Sequence, residues 1–151
     1  MKKIILALAL LLVCASAWAQ LNVKSKSSSV EQIDLAVDSK AALGYQEKYG
    51  YIILFVSSNR YDGGAPFRLG DDLKGAIQTL DDLLGLYDTL GTDIITVEPW
   101  PRASCTIKRM EQENLLRLQF EKQAGHCDVW KKDLERFRAV LEKRLPTEGG
   151  K

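Results

Sequence analysis

The sequence predicts an α+β domain in which one antiparallel sheet of about five strands carries two helices packed on one face, in the order ββαβββα. The run Tyr51 to Val56 contains six consecutive apolar residues, which is typical of a strand covered on both faces. Two later segments, Asp71 to Leu90 and Cys127 to Leu145, carry apolar residues three and four positions apart, as amphipathic helices do. The remaining strands are predicted from shorter alternating patterns.

The first nineteen residues predict a secretory leader that is removed from the mature protein. Two lysines, an apolar centre from Ile4 to Val13 and a small-residue box from Ala17 to Ala19 follow one another. We expect cleavage after Ala19 and a periplasmic or secreted product of a bacterial cell. The apolar centre rises only about 15 Å as a helix, roughly half the hydrocarbon thickness, so an uncleaved membrane anchor is not favoured. No second apolar run follows, and no membrane span is expected after cleavage. Lipid attachment at Cys14 is an alternative, although a bulky valine precedes it.

The chain after the leader predicts a flexible lead-in at 20–29, one α+β domain at 30–146 and a short tail at 147–151. The 132 residues that follow the leader suffice for a single hydrophobic core. They hold 19 basic and 20 acidic residues, a net charge of −1, which provides no long-range attraction for nucleic acid. Nucleic acid is therefore not an expected partner.

Two kinds of segment flank the central run. From Val30 to Val37 apolar and polar residues alternate, which predicts a strand with one wet face. Ser39 to Gly50 has no such period and contains glycines that indicate turns. Ser57 to Gly70 also has no period, and its three glycines and one proline predict an irregular connection of fourteen residues. A loop of that length in a small domain commonly binds something.

The first helix is predicted from Asp71 to Leu90. Asp71 and Asp72 can cap its amino end, and Gly91 can adopt the left-handed conformation that ends it. Two glycines inside the helix weaken it, so its stability depends on docking against the sheet.

Three strands are predicted between the helices. The strand Ile94 to Val97 is short and is stopped by the sequence Pro99-Trp100-Pro101. Alternation from Ala103 to Ile107 and from Leu116 to Phe120 then predicts a hairpin. A helical hairpin is the alternative, because Lys108 to Gln123 is rich in helix-forming residues.

Cys105 and Cys127 predict a disulfide, since an even number of cysteines in an exported protein favours pairing. Cys105 lies on the apolar side of its strand, and Cys127 begins the apolar stripe of the last helix. The bridge would fix the start of that helix to the sheet. Asp133 and Arg136 are expected to pair on the solvent side of the helix. A free nucleophilic thiol is the less favoured alternative to the disulfide.

The sequence contains no catalytic, cofactor or metal-binding motif. Two cysteines and His126 are too few for a structural zinc site, which uses four such ligands. Asp71 and Asp72 would repel a phosphate at the start of the first helix, and no glycine-lysine-serine ending is present there. The sequence therefore predicts no cofactor and no metal, and it favours a protein without enzymatic activity.

Arg60, Tyr61, Arg68 and Trp100 are the predicted binding residues. Arginine and large aromatic side chains supply much of the binding energy at protein interfaces. The first three lie in the irregular segment, and Trp100 lies between two prolines. The favoured function is a non-enzymatic binding or interaction protein of the bacterial envelope, with a protein or another envelope component as partner. Pairing of two copies through a sheet edge is also open.

Two other functions are considered. A small envelope hydrolase would use a carboxylate such as Asp62 or Asp71 together with His126, and it requires these side chains to converge in one cleft. An inhibitor or immunity-type protein would present a protruding loop or a sheet edge to a dedicated partner.

Overall fold

The structure of the protein is a computed structural model, and it describes residues 30–111 and 114–146. In this part of the chain, strands and helices follow one another in the order ββββαββββα. The strands are β1 (Glu31–Leu35), β2 (Ala41–Gln46), β3 (Gly50–Phe55), β4 (Ala65–Gly70), β5 (Ile94–Trp100), β6 (Ala103–Arg109), β7 (Leu115–Phe120) and β8 (Cys127–Trp130), and the helices are α1 (Leu73–Thr89) and α2 (Lys131–Glu142). The predicted leader, lead-in and tail lie outside the described residues.

Two antiparallel sheets form, one in each half of the described chain. Sheet A has the order β1-β2-β3-β4 and sheet B has the order β5-β6-β7-β8, so each strand pairs with its neighbours in sequence. Each sheet is followed along the chain by one helix, and the order ββββα therefore occurs twice. The predicted α+β class is confirmed, whereas the single sheet of about five strands and the order ββαβββα are wrong.

Three strands are missing from the sequence prediction, and each lacks the usual pattern of a strand. β2 reads Ala-Ala-Leu-Gly-Tyr-Gln and has no β-branched residue. β4 alternates buried and half-buried residues, but a proline and nearby glycines mask that alternation. β8 is only four residues long, and its Cys127 and Trp130 are spaced like residues of a helix. The last helix therefore begins at Lys131 rather than at Cys127.

The first predicted strand is shorter and less regular than its sequence pattern. β1 ends at Leu35, and a register shift between Gln32 and Asp34 interrupts its pairing with β2. Ile33 packs against the core, whereas Leu35 and Val37 are exposed. The predicted strand from Val30 to Val37 with one wet face is therefore wrong in its second half, because Leu35 and Val37 face solvent.

The predictions for the middle of the chain agree better with the structure. The hairpin is confirmed, because β6 and β7 pair with Cys105 opposite Phe120, and the helical alternative is wrong. The short strand predicted at Ile94 to Val97 continues through the proline to Trp100. The irregular connection after β3 ends at Gly64, since β4 follows it, and it is shorter than the predicted segment.

Helix α1 confirms the predicted first helix. Asp72 precedes it with an extended backbone, and its carboxylate accepts the amide of Gly75 at 2.7 Å. Gly91 follows the helix with a φ of 57°, a left-handed conformation that glycine adopts without strain. The buried apolar side chains are Ala76, Leu80, Leu83 and Tyr87 on α1, and Leu134, Phe137 and Leu141 on α2.

One hydrophobic core contains residues of both sheets and both helices. The ring centroids of Phe55 in sheet A and Phe120 in sheet B lie 6.2 Å apart. The hydroxyl of Tyr87 on α1 donates to the carbonyl oxygen of Val129 on β8 at 2.8 Å, so this buried polar atom is paired. The two halves are thus joined both by packing and by a buried hydrogen bond.

Cys105 and Cys127 are buried free thiols, and the predicted disulfide is wrong. Cys105 lies on β6 and Cys127 on β8, and β7 lies between these two strands. Neighbouring strands are about 4.8 Å apart, so residues on either side of β7 are separated by roughly 9.6 Å or more. A disulfide requires Cα atoms closer than about 7 Å. Both cysteines do lie on the apolar face, but the intervening strand keeps them apart.

We expect neither thiol to react in the folded protein. Burial raises the pKa of Cys105 to about 12 and that of Cys127 to about 11, and it also blocks access to both sulfur atoms. Iodoacetamide at mildly alkaline pH should leave both cysteines unmodified in the folded protein and should alkylate both in guanidinium chloride. Mass spectrometry of the peptides that carry them measures this. Two peptides joined by a disulfide would contradict the prediction.

The carboxylate of Asp133 joins the first turn of α2 to the connection between β1 and β2. It accepts the backbone amides of Val37 at 2.9 Å, Asp38 at 3.1 Å and Ser39 at 2.6 Å. Asp133 is only 2% exposed, and its charge is tolerated at that depth because these hydrogen bonds satisfy it. The predicted solvent-side pairing with Arg136 is therefore wrong.

Asp133→Ala should destabilise the protein, because it leaves the amides of Val37, Asp38 and Ser39 without their acceptor. A buried donor that loses its acceptor costs about 1–3 kcal/mol, and the free energy of unfolding should fall by at least that amount. Urea denaturation followed by circular dichroism measures the change. Asp82→Ala is the matched control, because Asp82 is an exposed carboxylate on α1, and its effect should be small.

The contribution of Asp133 should also depend on pH. Burial raises its pKa, but the hydrogen bonds from Ser39 and the neighbouring amides outweigh burial and hold the pKa below the ordinary value of 3.8. Because the folded pKa is depressed, the stabilisation is fully present above the unfolded pKa and is lost as the pH falls through the folded pKa. The stability difference between wild type and Asp133→Ala should therefore narrow below pH 3.8. A difference independent of pH would count against this assignment.

Candidate functional site

The outer faces of the two sheets, which point away from the core, differ in character. On sheet A, the residues Leu35, Ala42, Leu54 and Pro66 stand opposite one another on the four strands and form an apolar row. The corresponding rows of sheet B are Ile94, Lys108, Arg117 and Asp128, and Thr96, Thr106 and Gln119. Antiparallel sheets usually have one apolar face and one polar, solvated face. Apart from Ile94, sheet B follows that rule, whereas sheet A has a row of apolar residues on its outer face as well.

Exposed apolar side chains concentrate at one end of sheet A. The large apolar residues that are exposed in the described part of the chain are Val30, Leu35, Val37, Leu54, Val56, Tyr61 and Ile94. Five of these, Leu35, Val37, Leu54, Val56 and Tyr61, lie where the β1–β2 and β3–β4 connections meet the sheet, and we name them the apolar end. Val37 and Tyr61 are 70% and 81% exposed. Such a cluster of exposed apolar side chains commonly marks a binding surface.

Away from the apolar end, the outer face of sheet A exposes little apolar surface. Ile52 stands opposite Gly44 and Arg68 and is only 4% exposed. Arg68 donates to the carbonyl oxygen of Tyr49 at 3.0 Å, and it pairs with Asp71 at the start of α1. The exposed apolar part of this face is therefore confined to the apolar end.

Asp62 holds the connection 57–64 against the connection 121–126 of sheet B. Its carboxylate accepts the hydroxyl of Ser57 at 2.6 Å and the amides of Gly125 and Ala124 at 2.8 and 3.2 Å. The hydrogen bond from Ser57, followed by that from Gly125, holds the pKa of Asp62 below its ordinary value. The base of the connection is therefore fixed to sheet B.

Gly125 leaves no room for a side chain. A Cβ atom there would lie 2.4 Å from the hydroxyl oxygen of Ser57 and 2.6 Å from the amide nitrogen of Asn59. Gly125→Ala should therefore separate the two connections, and hydrogen–deuterium exchange in residues 57–64 should become faster. Gly63→Ala is the matched control and should leave exchange unchanged, because a Cβ atom there meets nothing within 4 Å. Equal exchange in the two variants would refute the role of this contact.

The structure places the four predicted binding residues in different surroundings. The guanidinium of Arg60 donates to the hydroxyl of Tyr61 at 2.6 Å, and both residues are exposed in the connection 57–64. Trp100 lines a cleft of about 420 Å³ with Pro66 and a second cleft of about 430 Å³ with Arg68. Tyr61 thus belongs to the apolar end, and Trp100 adjoins the apolar row through Pro66.

A third cleft, of about 240 Å³, adjoins the apolar end. It is lined by Asp38, Lys40, Val56, Ser58, His126, Asp128 and Trp130. Sequence reasoning found no partner for His126, but its ring Nδ1 lies 3.5 Å from Ser58 Oγ and its Nε2 lies 3.6 Å from Asp128 Oδ2. Only the docking of the two connections brings Ser58 to His126, and no local pattern signals it.

The groups around His126 are already engaged in the fold. The amide of Ser58 donates to the carbonyl oxygen of His126 at 2.7 Å, and its hydroxyl accepts the amide of His126 at 3.1 Å. Arg117 donates to both carboxylate oxygens of Asp128, at 2.7 and 2.8 Å, and this pairing holds the pKa of Asp128 below its ordinary value. Proton transfer uses contacts of about 2.6–3.2 Å. We therefore interpret this cluster as a structural contact between the sheets rather than a catalytic triad.

The carboxylates considered for a hydrolase do not line the cleft of His126. Asp62 is occupied by the hydroxyl of Ser57 and by two amides of the opposite connection. Asp71 pairs with Arg68 next to α1. Both carboxylates are therefore engaged in the fold, and Asp62 reaches the backbone next to His126 rather than its ring.

The remaining observations add no further site. Among residues 30–111 and 114–146, no group of three or more His, Cys, Asp or Glu side chains is arranged to hold a metal ion. The described helices are too short or too polar to cross a membrane. Comparison with protein-family models, with curated proteins and with solved structures gives no match to this chain. The functional argument therefore rests on the geometry of the apolar end.

Proposed function

We propose that this protein is exported to the bacterial envelope or beyond, and that it binds another protein there through the apolar end without catalysing a reaction. The observation that carries the proposal is the exposure of Leu35 and Leu54, which belong to the apolar row of sheet A, and of Val56 at the same end of the sheet. Sheet B has the same strand order, and among the described residues of its outer face Ile94 is the one large apolar side chain that is exposed. The cluster of exposed apolar side chains is therefore a property of sheet A rather than of the architecture.

The apolar end offers enough surface for a specific contact. The apolar row crosses four strands and is therefore roughly 14 Å long, the span of a short peptide segment. Covering it removes apolar area from water, at about 25 cal/mol for each Å². Tyr61 and Arg60 are exposed in the connection between β3 and β4, at the same end of sheet A as Leu54. Side chains of these types are enriched among the residues that dominate interface energetics.

A protein partner fits this surface better than a lipid surface or a second copy does. Leu35 and Leu54 lie on strands, in a flat row rather than at the tip of a protruding loop. Two copies that met face to face through the apolar end would place the cations Lys40 and Arg60 of both copies in one interface. Like charges that are brought together in an interface weaken it.

A photo-crosslinking residue in the apolar end should form a discrete adduct with one partner protein in the cells that produce it. Benzoylphenylalanine would replace Leu54 or Val37, and irradiation, electrophoresis and mass spectrometry would detect and identify the adduct. The same residue at Thr106, on the polar outer face of sheet B, is the control and should give no adduct. Leu54→Glu should remove the adduct formed from position 37.

Folding and specificity are checked on the same proteins. Leu54 is 40% exposed, so Leu54→Glu should lower the free energy of unfolding by only about 1 kcal/mol. Equal adducts from positions 54 and 106, or none from 54 and 37, would refute the proposal. An adduct with a second copy would replace it by self-association. Leu54-dependent binding to vesicles of phosphatidylethanolamine and phosphatidylglycerol would replace it by a lipid contact.

A further inference from the structure

Lys40 lies on the outer face of sheet A, close to the apolar row. Its carbonyl oxygen accepts the amide of Val56 at 2.8 Å, which continues the pairing of β2 with β3 by one residue. Ala41 is buried in the core, so alternation places Lys40 on the outer face, together with Val56. Lys40 also lines the cleft of about 240 Å³ described above. A partner that covers Leu54 and Val56 therefore also removes water from Lys40.

Lys40 and Arg60 have no carboxylate partner among the residues that the structure describes, and Arg60 contacts only the hydroxyl and ring of Tyr61. The nearby carboxylates are already occupied: Asp34 pairs with Arg136, Asp38 with Lys132 and Asp128 with Arg117, while Asp62 and Asp133 accept backbone amides. The described chain therefore forms no ion pair with Lys40 or Arg60, and the two carboxylates that share the cleft of Lys40, Asp38 and Asp128, are each paired with another cation.

An unpaired cation is expensive to bury, because it loses hydration without gaining a partner. A charge pair formed across an interface restores that loss and fixes the register of the bound segment. We propose, on the basis of the function proposed above, that the segment bound at the apolar end is acidic as well as apolar. Its carboxylates pair with Lys40 and Arg60, while its apolar side chains lie over Leu35 and Leu54.

Selection of short randomised peptides, displayed on phage, against the purified full-length protein tests this inference. Peptides whose binding is lost with Leu54→Glu should be enriched in Asp and Glu next to aliphatic or aromatic residues. Lys40→Glu combined with Arg60→Glu should weaken their binding by more than about tenfold, which corresponds to about 1.4 kcal/mol. The same double variant should select peptides enriched in Lys and Arg.

Two single variants separate charge from packing. Lys40→Met keeps a stem of similar length and removes the charge, and it should still weaken the binding of the selected peptides by about tenfold. Lys74→Glu is the matched control, because Lys74 is an exposed lysine on α1, and it should bind these peptides like wild type. Fluorescence polarisation with synthetic copies of the selected peptides measures each affinity.

The possible failures are distinguishable. Leu54-dependent peptides without acidic enrichment, bound equally well by wild type and Lys40→Met, would overturn this inference and leave the proposed function standing. A selection that yields no Leu54-dependent peptide would count against the proposed function and this inference together.

Discussion

The buried carboxylate of Asp133 is the contact on which the arrangement of the two halves depends. The connection between β1 and β2 turns its amides at Val37, Asp38 and Ser39 inward, and buried amides require acceptors. The acceptor comes from the first turn of α2, at the far end of the chain. The hydroxyl of Ser39 completes the contact by accepting the amide of Trp130 at 2.9 Å. The position of α2 and the path of the connection therefore depend on each other.

Asp62 supplies a reciprocal constraint at the same end of sheet A. Asp133 belongs to the second half of the chain and accepts amides of the first, whereas Asp62 belongs to the first half and accepts the amides of Ala124 and Gly125 in the second. Both connections that carry exposed apolar side chains are thus held at their bases by a carboxylate. A surface held in one conformation loses less entropy when a partner binds it. The apolar end is accordingly preorganised rather than assembled on binding.

Local signals in the sequence predict the elements whose geometry depends on neighbouring residues. Asp72 and Gly91 mark the ends of α1, and alternation marks the hairpin of β6 and β7. Long-range pairing decides the rest. The burial of Asp133 depends on amides more than ninety residues away, so its spacing to Arg136 suggested only an exposed ion pair.

The candidate site shows the same division between local and long-range information. The length and composition of the segment after β3 identified Tyr61, which belongs to the apolar end, and Arg60, whose guanidinium donates to the hydroxyl of Tyr61. Leu35 and Lys40 could not be identified in this way. Their position depends on the register of β1 with β2 and on the pairing of β2 with β3, and β2 has no strand pattern in the sequence.

The run Tyr51 to Val56 links sequence, fold and function. Its uninterrupted apolar composition is typical of a strand covered on both faces, but α1 and α2 pack against only one face of sheet A. On the other face Ile52 is covered, whereas Leu54 is 40% exposed and Val56 is 49% exposed. The run Tyr51 to Val56 therefore contains more apolar side chains than the described chain buries. The partner proposed above would account for that excess, because it would provide a second layer over the outer face of β3.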